Sequence, residues 1–438
     1  MDLGGIQRKG EYNLRWFAIA ARAERRALPA LVATGGDAVR RVGRREKTLL
    51  CAGVRHFRGV SRSLLIRGLV LLFGCAGIAA HAAFSSIYIF GDSVSTTTTN
   101  NPSFPTNLYY GKRYNNGRTW VEVLAQRQGL GTNSIVTNTW AYSSNNLSFF
   151  GHYSPLMVTN VRNFTPPANV SNCLFVVWVC NADFVGDLFD AGVGDPANAP
   201  QNGTNLAVWT AAISQHLTNH FKVFTNLYGK GVRTIIAPNV VNVAKAPFFA
   251  GFSTGNKAFI RARVVSFNTN FLALTKQVEV ASPGLKIIVP DIFAVFDAAL
   301  TNAASYGLTN ALDTGGNPID ALDNGYTGLN SAGANYIFWD YISPTARMNE
   351  LFADVAQQAL SPVDLAGMAQ VNTSNRLDIV NVPVGLNGTV LYVTNLTQPV
   401  WLTNSTFSSL TLTQGVFVTP TNAQRFYQVK FPYAWTWP

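Results

Sequence analysis

Four short apolar runs, at positions 86–90, 174–179, 234–237 and 286–289, are each closed by turn-forming residues and separated by longer amphipathic stretches. A strand buried on one face alternates apolar with polar residues; a run that is apolar throughout is covered on both faces. Between the runs, Leu206, Trp209, Ile213, Leu217, Phe221, Phe224 and Tyr228 recur every three or four positions, and 257–275 and 346–360 repeat that pattern. This is the spacing of helices that lie on a sheet. Strand and helix in alternation point to a doubly wound α/β domain over residues 83–365.

The pattern changes after Leu360. Residues 361–375 read as a polar connection holding Pro362 and Gly367. Short alternating runs follow at 377–382, 389–393, 400–402, 409–412, 416–419 and 426–431, separated by turn residues such as Asn387-Gly388 and Pro420. About six short strands so closely spaced predict a small all-β, sandwich-like domain over 366–438.

A net charge of +11 invites a nucleic-acid-binding reading until its location is checked. Residues 1–82 carry 15 Lys/Arg and 5 Asp/Glu, whereas the remainder carries 18 and 17. The body of the chain is near neutral, so no nucleic-acid partner is expected. Arg58, Arg62 and Arg67 precede an apolar run at 68–80 that ends in Ala80-His81-Ala82. A basic segment, a short apolar segment and small residues before a cleavage point describe a secretory signal at 60–82. The run is too short for a comfortable membrane span. The expectation is a secreted or periplasmic protein starting near Ala83, with no stable span after cleavage. Residues 1–59 then read as a disordered or non-native basic leader, and a lipid anchor on Cys75 is disfavoured by Phe73 two residues before it.

Cys173 and Cys180 flank one apolar run. In an extended strand they stand ~23 Å apart on opposite faces and cannot pair. A core supported by 47% hydrophobic residues makes such staples unnecessary.

The first apolar run ends in Phe90-Gly91-Asp92-Ser93, which sets a serine at the end of a buried strand where a sharp turn can present its hydroxyl. This run resembles the first block of the GDSL, or SGNH, hydrolases, with Val94 in place of the eponymous leucine. Three further segments resemble family blocks: Tyr114-Asn115-Asn116-Gly117-Arg118-Thr119-Trp120-Val121, the stretch 231–239, and Phe338-Trp339-Asp340 with Pro344-Thr345. The likeness covers about 86–360. It implies a three-layer α/β/α flavodoxin-like domain that hydrolyses esters without a cofactor, with Ser93 as nucleophile and Asp340 as the carboxylate that orients a base.

The base itself is missing. The family's Asp-x-x-His-Pro becomes Asp340-x-x-Ser343-Pro344, and a serine accepts no proton near neutral pH. Ser343 instead suits the cap of a helix beginning at Pro344. Aligned on Trp178 and Asp183, the family's Trp-x-Gly-x-Asn-Asp becomes Trp178-Val179-Cys180-Asn181-Ala182-Asp183, so Ala182 replaces the oxyanion asparagine. The resemblance leaves the backbone of Ser93, the backbone of Ser144 and the neighbouring side chain of Asn181 as oxyanion donors. His152 is the histidine that the topology brings nearest, a possible substitute base. His216 and His220 share the i, i+4 spacing of helical metal ligands, yet no glutamate follows His216 and no third ligand is evident, so no metal is expected.

Two readings remain. One is a secreted hydrolase of carboxylic or carbohydrate O-acyl esters, expected as a monomer and slowed by the lost base. The other is a catalytically impaired relative that binds a glycan or an acylated ligand.

Overall fold

The computed structural model describes residues 84–97, 107–131, 135–137, 153–190, 204–397, 400–418, 425–432 and 436–437. The expected leader and signal, Ser144 and His152 lie outside the described residues. In chain order, β1 (Ile87–Gly91) is followed by α1 (Trp120–Arg127), β2 (Ile135–Thr137), α2 (Tyr153–Asn163), β3 (Leu174–Trp178) and α3 (Cys180–Asp190). Next come α4 (Leu206–Gly229), β4 (Thr234–Ile236), α5 (Thr254–Ala281), β5 (Lys286–Ile288), α6 (Ile292–Thr301) and α7 (Ala346–Leu360).

The five strands form one sheet in the order β2-β1-β3-β4-β5, with every pairing parallel. This is the flavodoxin-like order, and its direction of winding reverses between β1 and β3. All five residues of β3 are buried, as an apolar run in a sheet covered on both faces requires. On one face Tyr88, Phe90, Phe164 and Phe175 stack or meet edge to face. On the other, Trp178 meets Trp120 and Phe352 edge to face. Alternation along one strand thus feeds both layers of core.

Seven further strands follow: β6 (Asp364–Val371), β7 (Ser374–Val380), β8 (Asn387–Val393), β9 (Leu402–Ser408), β10 (Thr413–Val418), β11 (Phe426–Lys430) and β12 (Thr436–Trp437). They pair antiparallel in two sheets, β10-β7-β6 and β12-β11-β8-β9. Leu377, Ile379, Val416 and Val418 of the first share a core with Val390, Val429 and Phe431 of the second.

Two sequence expectations change here. The supposed connection at 361–375 contains β6, an edge strand whose residues are nearly all exposed and which therefore carries no apolar signature. It is held by its ladder to β7 through a two-residue turn, with Asn372 at φ 53°. Likewise the runs 400–402 and 409–412 mostly flank β9, which is polar and pairs with β8 across a bulge.

The β-sheets dock on the α/β layer through Arg127. Its Nε donates to Asp354 Oδ1 on α7 at 2.8 Å, and its Nη1 donates to the Val384 carbonyl at 3.2 Å. The Val384 N–H returns a bond to the Arg127 carbonyl at 3.2 Å. One buried guanidinium thus ties two helices and the β-sheets together.

Candidate active site

Ser93 opens a single 3-10 turn, Ser93–Ser95, directly after β1. Asp92 caps it: its carboxylate accepts from the Val94 N–H and, across the switch point, from the Ala182 N–H, both at 3.1 Å. The two strand ends that flank the reversal are therefore fixed to each other. Burial lifts the Asp92 carboxyl to about 7. The turn also needs Gly91, because a Cβ there would stand 2.5 Å from Ser95 Cβ. Trp120 Nε1 holds Ser95 Oγ at 3.0 Å from the side.

The second block is a tight turn around Asp340. Its Oδ1 accepts from the N–H groups of Ile342 (3.0 Å) and Ser343 (2.7 Å), and the Trp339 N–H returns to the Ser343 carbonyl at 2.8 Å. The Ser343 side chain lies beside this carboxylate and favours its ionised form. Tyr109 OH donates to Oδ2 at 3.1 Å. Burial outweighs these favourable contacts and raises the carboxyl to about 6, so it is ionised at neutral pH. Beside it, burial and the Asp340 charge push the Tyr109 and Tyr341 phenols well up, which keeps both protonated.

The expected role of Ser343 as a helix cap is not what is observed. Thr345 is the cap, with Oγ1 accepting from the Met348 N–H at 3.2 Å, and α7 starts at Ala346. Pro344 pairs with Phe338 in an isolated bridge and so stays extended, which delays the helix. Ser343 is thereby left facing the carboxylate. The asparagine-rich segment 114–121 supports the same turn: Asn116 Oδ1 accepts from the Ala346 N–H at 2.8 Å, while its Nδ2 donates to the Leu329 carbonyl at 3.0 Å.

Ser93, Asn181, Ala182 and Ser343 line one cavity of about 60 Å³ at the carboxyl ends of β1, β3 and β4. Its remaining wall is mainly apolar, with Val185, Val243, Phe296, Phe338 and Phe352. Loops at the carboxyl ends of strands, beside the switch point, are where open parallel sheets form a binding crevice. Asp340 accepts from the Ser343 N–H at the edge of this hollow, so the segments that hold Ser93 and Asp340 converge there. Asn181 Oδ1 accepts from the Val241 N–H at 3.1 Å, while its Nδ2 has no partner.

Tyr109 and Asn242 were missed in the sequence. Nothing in the composition around Tyr109 marks it, since it reaches Asp340 only through the fold. Asn242 carried a weaker signal: it follows a strand on the side of the sheet where ligands sit.

The histidine pair is not a ligand pair. His220 Nδ1 bonds the His216 carbonyl at 2.8 Å, and burial lowers its pKa to about 4. His216 instead joins Cys180 and Asp183, whose donor atoms lie within 4.8 Å of one another and could hold a metal ion. His216 and Asp183 are already engaged. His216 Nε2 bonds Asp187 at 2.8 Å and Nδ1 bonds Ser154 Oγ at 3.0 Å, while Asn219 Nδ2 donates to Ser154 Oγ at 3.1 Å. Asp183 accepts from the N–H groups of Tyr153 and Ser154. This buried network joins α2, α3 and α4. The thiols of Cys173 and Cys180 are both free and buried. Among the described residues no helix is long and apolar enough to cross a membrane.

The family model described as GDSL-like Lipase/Acylhydrolase matches residues 87–356, more than half of the chain. A GDSL esterase/lipase of Arabidopsis thaliana is 23% identical over 349 residues, 66% of this chain and 86% of the relative. A second GDSL esterase/lipase of that plant is 30% identical over 154 residues, 32% of this chain and 43% of its own. Among solved structures, a Bacillus subtilis protein is matched at a TM-score of 0.30 and 13% identity, over 63% of this chain and 56% of that one. A gut microbial diltiazem-metabolizing enzyme is matched at a TM-score of 0.34 and 8% identity, over 78% and 74%.

Proposed function

The chain belongs to the GDSL-like lipase/acylhydrolase family, and from that premise we propose that it is an exported hydrolase of short carboxylic or carbohydrate O-acyl esters, with Ser93 as nucleophile and a turnover well below that of relatives with a histidine base. The observation that carries this reading is the shared cavity, in which Ser93, Asn181 and Ser343 meet with the Asp340 carboxylate behind them. Ser93 Oγ adds to the ester carbonyl to give a tetrahedral oxyanion. The Ser93 N–H and Asn181 Nδ2 supply hydrogen bonds to it, Asn181 standing in for the amide absent at Ala182. Asp340 takes up the proton through the Ser343 hydroxyl or a water in the space an imidazole would fill. The alkoxide departs as an alcohol, and water releases the acyl group by the reverse proton path.

A carboxylate near 6 is a weaker base than imidazole and acts here through an intermediary, so the rate is low. The alternative, a ligand-binding relative without turnover, is favoured by one feature: the Asp340 turn is fully hydrogen-bonded with no imidazole present. Hydrolysis of p-nitrophenyl acetate by the purified protein, beside its Ser93→Ala variant, separates the two. Turnover lost in the variant supports the hydrolase, and rates that do not differ refute it.

A further inference from the structure

Leu108 and Tyr109 are tied to the Asp340 turn at two adjacent points. Trp339 Nε1 donates to the Leu108 carbonyl at 2.8 Å, and one residue further on, Tyr109 OH donates to Asp340 Oδ2 at 3.1 Å. The Tyr109 ring is buried in one cluster with Ala321, Tyr336 and Trp339. The segment is braced again by the Tyr110 N–H, which donates to the Asn115 carbonyl at 2.9 Å. The phenol is therefore brought to the carboxylate by packing and by backbone bonds on both sides of it. Burial and the Asp340 charge hold it well above its ordinary range, so it remains a donor.

Both oxygens of Asp340 are thus held from separate parts of the chain. Oδ1 takes the N–H groups of Ile342 and Ser343, which belong to its own turn, and Oδ2 takes the Tyr109 phenol. Bonds at both oxygens fix the plane of a carboxylate, and a bond from a neutral donor favours its charged form. The surroundings oppose that charge. Asp320, buried and accepting from the Asp323 N–H at 2.8 Å, repels Asp340 when both are ionised, and Tyr341 in the same turn stays neutral. We propose that Tyr109 is a positioning residue, which fixes the Asp340 carboxylate in the orientation and in the ionised form that take up the Ser93 proton. The inference rests on the reading of Asp340 as the proton acceptor and adds the residue that prepares it.

A carboxyl titration reads this without need of turnover. The full-length protein is prepared with isotope-labelled aspartate, and the Asp340 NMR signal is assigned by its loss in Asp340→Asn. Tyr109→Phe, which keeps the ring in its cluster, should raise the Asp340 pKa by about one pH unit, the scale of one hydrogen bond to a charged acceptor. The comparison is repeated in an Asp320→Asn background, so that the neighbouring carboxyl, at about 7, does not share the transition. The acid limb of Ser93-dependent kcat/KM for p-nitrophenyl acetate should move up by the same amount. Tyr336→Phe, which strips a phenol bonded to Asn324 from the same cluster, should move neither. An Asp340 titration unchanged in Tyr109→Phe, or moved equally by Tyr336→Phe, would overturn the proposal. So would turnover whose acid limb stays in place while the titration moves. Failure of the hydrolase reading looks different: the titration moves as expected while the parent protein shows no Ser93-dependent turnover, and the hold of Tyr109 on the carboxylate still stands.

Discussion

Replacing Ser343 by histidine should raise Ser93-dependent ester hydrolysis by about 10²–10⁴-fold, the usual contribution of a positioned general base. At 1.36 kcal/mol per decade this is about 3–5 kcal/mol off the barrier. The carboxylate for orientation is already in place, since the Ser343 side chain lies beside Asp340 and an imidazole at that position would donate its Nδ1–H to it. Volume favours the change as well. A hollow of about 60 Å³ borders Ser343 and Ser93, against the ~10–15 Å³ that admits one water, so the ring has space. Charge is no obstacle: with its carboxyl at about 6, Asp340 is ionised at pH 8 and stabilises the imidazolium formed during attack. The gain falls toward the lower figure to the extent that Asn181 substitutes poorly for the asparagine missing at Ala182, since one oxyanion side chain is worth ~10²–10³. The assay is p-nitrophenyl acetate hydrolysis at pH 8, with the Ser93→Ala/Ser343→His double variant as background. Free imidazole added to the unaltered protein should give a smaller, saturable gain through the same hollow. A well-folded Ser343→His protein without gain, or with a gain that survives loss of Ser93, refutes the reasoning.

Asn181→Asp keeps the acceptor for the Val241 N–H but puts negative charge where the oxyanion forms. It should lower kcat for Ser93-dependent turnover by about 10²-fold or more, and unchanged kcat would remove Asn181 from the oxyanion role. Arg127→Met leaves Asp354 buried without its guanidinium and strips Val384 of a donor, which should cost about 3–5 kcal/mol; because burial already raises Asp354, its protonation holds the loss to the lower figure, as read by urea denaturation. Asp92 and Asp320 at about 7 and Asp340 at about 6 lie above the ~3.9 of an unfolded aspartate, so the native state binds more protons and gains stability as pH falls. Tm should therefore rise from pH 8 to 6.5, then flatten as His220, lowered to about 4, begins to favour the unfolded chain; a fall in Tm over the first interval would contradict this.

The α/β layer was legible because strands buried on both faces and helices with one apolar stripe leave different periods in a sequence. β6 left no such trace. Its stability comes from a backbone ladder to β7, and hydrogen bonds between main chains do not depend on side-chain polarity. The candidate site divides along the same line. Ser93 and Asp340 stand in local motifs whose turns the sequence displays, whereas Tyr109 reaches Asp340 across 231 positions. The misassigned cap at Ser343 shows a further limit: Ser343-Pro344 and Thr345 are both plausible helix starts, and the bridge from Pro344 to Phe338 decides between them.

The Asp340 turn explains how a base can be absent while the site around it persists. Its carboxylate is satisfied by two backbone N–H groups and Tyr109, so serine at this position leaves no buried charge unpaired. A serine at this position is therefore conformationally quiet, and on the proposed reading it removes the base without disturbing the turn. The amides of Asn181 and Asn242 are a different matter. Stranding a buried donor or acceptor costs about 1–3 kcal/mol, and an apolar side chain of similar size would remove that cost. A pocket that merely packed the core would have no use for them. Both residues border the hollow beside Ser93, and on the proposed reading they are polar neighbours of the bound ester.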